Sequence, residues 1–555
     1  MAKKQNQKPP VQIKKPVKPA SKTLFDSLED SFQKNQRLIF FIILGLSFLF
    51  GALLFDVKVS EGNDDSEYIE WGYNFSKDVH DLSLGKAPLY PMLLSIPIRI
   101  MGINLVFLKS LSLLFSLLQL VFLYLALRKR VALVVLFPIL FLIAVNSSFQ
   151  YFASQTYTEA LFLMLQALFI WAFIKVYENK NENEIIPSNW KQWLALGFML
   201  VILALAKNIA VVAILALLFY FLVNKQFKQI AYTILAYLAF RLPFEALRLI
   251  FWNQTNQYQA QTETLLRKDP YDASKGLEDF SGFVTRFFQN IDLYISKRFF
   301  QILNFRDMDV VTVKPGLSFL FFVVLLLSIF FIIRSKNKLM LFISFYALIQ
   351  MFATFVVLQT RWDQPRMVMV YVPLLLLVIT SAIYSRLHHS FGQFFYLVFI
   401  AILLGTSLFA TIGKAEKHYP VLKKNIAGDL YNGYTTDWVN YLKMSAYCGD
   451  SLPDNSLVAC RKAPMSFVYG KGKRFYGIYN VLSNDPDTVL KIFKRDSVTH
   501  VIIASLRRDP KREDGNVINT IHRMLYPIEQ KYPGKLTVIK QIGESEPAYL
   551  YRINY

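Results

Sequence analysis

Long apolar runs broken by short polar stretches fill the first three quarters of the chain, and the pattern then changes. Runs close to the ~20 residues that an α-helix needs to cross a hydrocarbon core lie near 38–55, 105–127, 131–146, 159–177, 192–206, 209–223, 227–241, 316–333, 339–358, 367–384 and 391–410. They predict a polytopic α-helical membrane protein of about eleven transmembrane helices. One boundary rests on charge and not on length. The apolar stretch from Leu194 to Val223 is interrupted only by Lys207 and Asn208, and two short helices meeting at Lys207 keep the later basic loops on one side of the membrane.

After about residue 411 short alternating runs replace the long ones. "VTHVIIASL", "LTVIKQIG" and "AYLYRIN" read as strands, "DPDTVLKIFKRD" and "VINTIHRMLYPIEQKY" as helices. Residues 411–555 are therefore expected to form a small C-terminal α/β domain. An odd number of spans from a cytoplasmic start makes that domain extracytoplasmic. Both cysteines of the chain, Cys448 and Cys460, fall in it and are disulfide candidates in an oxidising compartment.

Of the 555 residues 54% are hydrophobic, and the formal net charge is +22. In a soluble protein that charge would suggest nucleic acid. Here most of it lies in short loops and in the tail 1–37, whose first 22 residues hold seven lysines and no acid, so no nucleic-acid partner is inferred. With the tail in the cytoplasm, "RKR" at 128–130, "NKQFK" at 224–228, "RSKNK" at 334–338 and "SRLHH" at 385–389 all obey the positive-inside rule. Residues 38–410 then form the membrane module, with large outer loops at 56–104 and 242–315. In the second loop Phe280, Phe283, Phe287, Ile291 and Tyr294 make one helical stripe, as in a helix lying in the interface.

The first outer loop is the acidic one, with eight acids against four bases. Asp64 and Asp65 follow closely after the first span, and Tyr68, Trp71, Gly72 and Phe75 succeed them at helical spacing. Carboxylates at a membrane boundary can accept the proton of an incoming hydroxyl or hold a divalent cation. They can also be a plain solvated loop.

"NDDSEY" followed by "APLYP" resembles the first outer loop of the GT-C superfamily of membrane glycosyltransferases, the group containing protein O-mannosyltransferases and lipid A aminoarabinose transferases. Asp64, Asp65 and Tyr68, then Pro88, Leu89, Tyr90 and Pro91, match its pattern. Glu159 stands where the family places an acid at the head of a long apolar helix, and "TRWDQPR" is similar to the family's Arg-aromatic-x-x-Pro-Arg approach to a late span. The chain departs in carrying Asp65 where Glu is common. The resemblance implies a polyprenyl-phosphate-linked sugar donor, a glycan, lipid or protein acceptor, and an inverting transfer at the outer face of a bacterial inner (plasma) membrane. It implies catalytic roles for Asp64, Asp65 and Glu159, with a divalent cation at these three acids as one option. Lys207, Arg361 and Arg366 are the expected donor-phosphate cations, and Tyr68 and Tyr90 the expected contacts to acceptor or lipid. The alternative from another class is a transporter or flippase of lipid-linked or sugar substrates, for which ionisable groups near the midplane would be the sign.

Overall fold

The computed structural model describes residues 23–60, 62–178, 188–252, 263–307, 311–387 and 389–555. Most of the basic tail thus lies outside the described residues. Each of the eleven apolar runs is helical over nearly all its length. Six helices are by themselves long and apolar enough to cross a membrane: Gln36–Leu53, Leu105–Leu127, Thr158–Glu178, Pro315–Ser335, Lys338–Val357 and Phe391–Ile426. Leu133–Val145 and Ser147–Ala153 make a seventh if their pair, bent by 60°, is one span. Val211–Val223 and Val372–Tyr384 have 13 residues each, about 20 Å of helix at ~1.5 Å per residue, short of the ~30 Å core. The protein is an integral, multi-pass membrane protein.

Local chemistry sets the breaks. Asn146 ends one helix in extended backbone and caps the next, its Oδ1 accepting from the Ser148 amide at 3.0 Å. Lys207, extended at φ −159°, separates Trp190–Ala206 from the short turn that opens the following helix. Two short helices therefore meet there, as the charge pattern predicts.

A mixed sheet forms beyond the last membrane helix, which runs unbroken from Ser390 to Ile426. Strands β1 (Leu457–Cys460), β2 (Phe475–Gly477), β3 (Val498–Ile503), β6 (Leu536–Ile542) and β7 (Ala548–Ile553) lie in the order β2-β1-β3-β7-β6. The β1 pairings are parallel and those of β7 antiparallel. A short ribbon, β4 (Leu506–Arg507) with β5 (Val517–Ile518), stands apart. All three strands and both helices expected from the sequence are present, whereas β1, β2 and the helix Thr436–Ser451 were not anticipated.

Cys448 and Cys460 are free thiols buried in this domain, which corrects the expected disulfide. Cys460 Sγ lies 3.5 Å from Ser466 Oγ as a hydrogen-bond donor. Burial pushes the thiols up to about 12 and about 11 respectively, so both behave as small core side chains. The sheet domain packs on the bundle through the helix Asp64–Lys77: the rings of Tyr73 and Phe467 meet edge-on at 5.3 Å, and Tyr434 donates to the Val59 carbonyl at 2.7 Å.

Candidate active site at the domain end of the bundle

The irregular strap 55–60 leads from the first membrane helix toward the helix Asp64–Lys77. Lys109, fully buried on the helix Leu105–Leu127, donates to the Lys58 carbonyl and to Gln155 Oε1, the latter at 2.8 Å. Lys58 reaches Asn425 Oδ1 at 3.0 Å. Three distant parts of the chain thus fix the strap. Asn63 then takes φ +72°, a left-handed conformation that Asn tolerates better than most residues. It turns the chain so that Asp64, Asp65 and Glu67 fall in the first helical turn, where the helix dipole favours negative charge.

The two neighbouring aspartates have opposite surroundings. Asp65 is fully buried and faces the strap: its carboxylate accepts from the Ser60 amide at 2.6 Å, Ser60 Oγ at 3.0 Å and the Ser66 amide at 2.8 Å. Burial raises its pKa. Asp64 faces Lys86 and Arg366 instead. Its Oδ1 accepts from Lys86 Nζ at 3.0 Å and its Oδ2 from Arg366 Nη2 at 2.5 Å. Burial acts to raise its pKa, but the two cations outweigh burial and hold the carboxyl at about 2.

Lys86 also donates to Glu67 Oε2 at 2.5 Å and lies over the rings of Tyr68 and Trp71 at 5.4 and 5.5 Å. Arg366 donates to Gln364 Oε1 at 2.6 Å and stacks over Tyr157 at 5.1 Å. Tyr157 stands two residues before Glu159, so the guanidinium links Asp64 to the stretch of chain that carries Glu159. Glu159 is buried and accepts from Lys207 Nζ at 2.7 Å through Oε1. Among the described residues its Oε2 has no hydrogen-bond partner.

Asp64, Glu159, Lys207 and Arg366 therefore come together as the sequence reading expects. Three other expectations change. Arg361 is more than half exposed and pairs with Asp269 at 3.0 Å, which takes it out of this cluster. Tyr90 is fully buried, bonded to Ser112 Oγ at 2.9 Å and edge-on to Tyr68 at 5.7 Å, so it props Tyr68 from behind and has no free surface for a ligand. The donor set also does not fit a divalent cation. Asp64 is occupied by two cations, Asp65 by the strap and Glu159 by Lys207, and among the described residues no three His, Cys, Asp or Glu side chains are placed to hold a metal. Sequence reasoning missed Lys86. The only signal for it was a lone lysine two residues before "PLYP" in an acidic loop.

The sequence matches no known protein family and no curated protein. The architecture does match solved structures. ArnT from Cupriavidus metallidurans bound to undecaprenyl phosphate is similar over 92% of this chain and 97% of its own, with TM-score 0.55 and 11% identity. Its fold is the GT-C fold. The Archaeoglobus fulgidus oligosaccharyltransferase AglB, in complex with an inhibitory peptide and a dolichol-phosphate, shares the GT-C arrangement over 85% of this chain and 70% of its own, at TM-score 0.52 and 12% identity. A complex of the same oligosaccharyltransferase with Zn and sulfate aligns over 83% and 68%, at TM-score 0.52 and 14% identity.

Proposed function

We propose that the protein is a membrane glycosyltransferase that moves a hexose or pentose from a polyprenyl-phosphate donor to an acceptor hydroxyl at the outer face of the membrane, inverting the anomeric centre. The observation that carries this reading is Asp64 clamped between Lys86 and Arg366, at the domain end of a GT-C fold whose solved relatives hold polyprenyl phosphates. The basic loops favour a cytoplasmic N-terminus and an outward domain end.

In the transfer, the acceptor oxygen forms the new bond to the anomeric carbon while the bond from that carbon to the phosphate oxygen breaks. The leaving polyprenyl phosphate keeps the electron pair, so negative charge grows on it. Lys86, Arg366 and Lys207 are positioned to meet that charge, the kind of fixed electrostatic stabilisation worth a few kcal/mol per group. The acceptor proton goes to Asp64. A carboxyl held at about 2 is a weak base, but the cations that depress it are those that a phosphate would draw away. Donor binding then raises the basicity of Asp64 when a base is required. Glu159 holds Lys207 in place through Oε1, and Asp65 holds the strap.

The test is direct. Purified protein is supplied with a panel of polyprenyl-phosphate sugars and membrane extracts as acceptor, and free polyprenyl phosphate is measured. Release with at least one donor, lost in Asp64→Asn, supports the reading; no release from any donor speaks against it.

A further inference from the structure

The helix Phe280–Ile291 presents three faces of different kind. One is turned to the protein. Phe287 meets the rings of Phe352 and Phe355 at 5.9 Å each, and Asn290 Nδ2 donates to the carbonyls of Phe355 and Leu358 at 2.9 and 2.8 Å. On the same side Arg286 donates to the carbonyls of Leu265 and Arg267, both at 2.8 Å. Of the stripe expected to lie in the interface, Phe283, Phe287, Ile291 and Tyr294 are therefore largely packed against protein, and only Phe280 stands exposed. The second face is Phe280, Val284 and Phe288, spaced by four and exposed at 85, 41 and 62%. The third is Ser281, Thr285 and Gln289, also exposed and all polar. At ~100° per residue the faces follow one another around the helix as protein, apolar, polar.

A helix standing in water has no use for the middle face. That face continues the exposed apolar side of a membrane helix: Phe352, Val356 and Val357, at the end of Lys338–Val357, are exposed at 41, 43 and 38%, and the stacked Phe287–Phe352 pair joins the two surfaces. We propose that the helix Phe280–Ile291 is embedded in the leaflet at the domain end, with Phe280, Val284 and Phe288 among the acyl chains and Ser281, Thr285 and Gln289 at the headgroups. The occupant of the apolar face is the bilayer, because the adjoining surface of the membrane helix already faces it.

Residues on either side of this helix also hold the segment that carries Arg366. Gln359 Nε2 donates to the carbonyls of Thr264 at 3.0 Å and Arg267 at 2.7 Å, and Asp363 is held by Lys297 and Arg298.

The test needs no enzymatic activity. Spin labels are attached to the full-length protein at Phe288→Cys and, separately, Gln289→Cys, in vesicles of phosphatidylcholine and phosphatidylglycerol. Cys448 and Cys460 are buried, and unmutated protein gives the labelling background. Collision with oxygen, which concentrates in lipid, is compared with collision with a water-soluble nickel chelate. The expected result is oxygen in excess at 288 and nickel in excess at 289. Nickel reaching 288 as freely as 289 would put the helix in water, and protection of 288 from both reagents would put protein over the face; either overturns the proposal.

Discussion

Arg366 donates to Asp64 at 2.5 Å although 302 residues separate them in the chain. Such a contact exists only in the folded protein, and with Lys86 on the other carboxylate oxygen it makes Asp64 part of a built electrostatic cluster. A solvated acidic loop, the plainer reading of the same residues, would leave the carboxylate to water.

The two aspartates should separate cleanly on substitution. Asp64→Asn keeps the shape of the side chain and is expected to lose roughly two to four powers of ten in transfer rate, with some loss of stability because the ion pairs to Lys86 and Arg366 go with the charge. Asp65→Asn turns an amide toward the Ser60 and Ser66 amides and should destabilise by about 1–3 kcal/mol. Parallel turnover and melting measurements on the two variants check this. Equal losses of transfer rate would dissolve the distinction.

Lys86→Ala and Arg361→Ala test which cations face the donor. Lys86→Ala should weaken donor binding and turnover together, with a cost of a few kcal/mol in transition-state stabilisation. Arg361 is an exposed partner of Asp269, and pairs of that kind contribute about 0–1 kcal/mol. Its alanine variant should turn over within a few-fold of the parent. Steady-state kinetics with donor varied gives both values.

Lys207→Met would leave the buried Glu159 carboxylate without its cation. Breaking a buried pair from one side destabilises by an amount on the order of 3 kcal/mol. The double variant Lys207→Met, Glu159→Gln should recover part of that stability while remaining slow in transfer. A melting series in detergent with the two singles and the double separates the structural from the catalytic share.

Glu70 supplies a pH dependence. Burial, with Glu67 and Asp81 nearby and only partly offset by Arg474, pushes its pKa from 4.5 up to about 7. The fold thus holds this proton more tightly than the unfolded chain does. The contribution is fully present below about pH 4.5, is lost as the pH rises toward 7, and is level above that. Glu70→Gln should flatten this part of the stability profile, and unfolding temperatures measured from pH 5 to pH 8 would show it. Asp64 works in the opposite sense. Its depressed carboxyl keeps its ion pairs throughout that range and loses them only as the pH falls toward 2.

The helices were legible because an apolar run of membrane length has few other ways to satisfy its backbone. Asp64, Glu159, Lys207 and Arg366 were legible because each is a charge at the edge of such a run, where charge needs a reason. The same logic could not separate Arg361 from Arg366. Five residues apart in one polar segment, they differ only in that Arg366 opens a short helix and Arg361 precedes it. Tyr90 was misjudged because an aromatic side chain near a membrane boundary has the same signature whether it meets lipid or a neighbouring serine. Lys86 escaped because no periodicity announces that a loop will fold back across 22 residues. The cysteines lie in unlike elements, one in a helix and one in a strand, and spacing alone carries no information on the distance between them.

The helix Ser390–Ile426 has 37 residues, about 55 Å at ~1.5 Å per residue, against a hydrocarbon core of ~30 Å. It therefore rises roughly 25 Å clear of the core by the same arithmetic, as a mast with the sheet domain at its head. A lean of about 5° at its foot would swing that head by roughly 2 Å on a lever of this length. Because the head also rests on the helix that begins with Asp64, where Tyr73 meets Phe467, the sheet domain is held at two points, and a lean of the mast would be felt first at that ring contact.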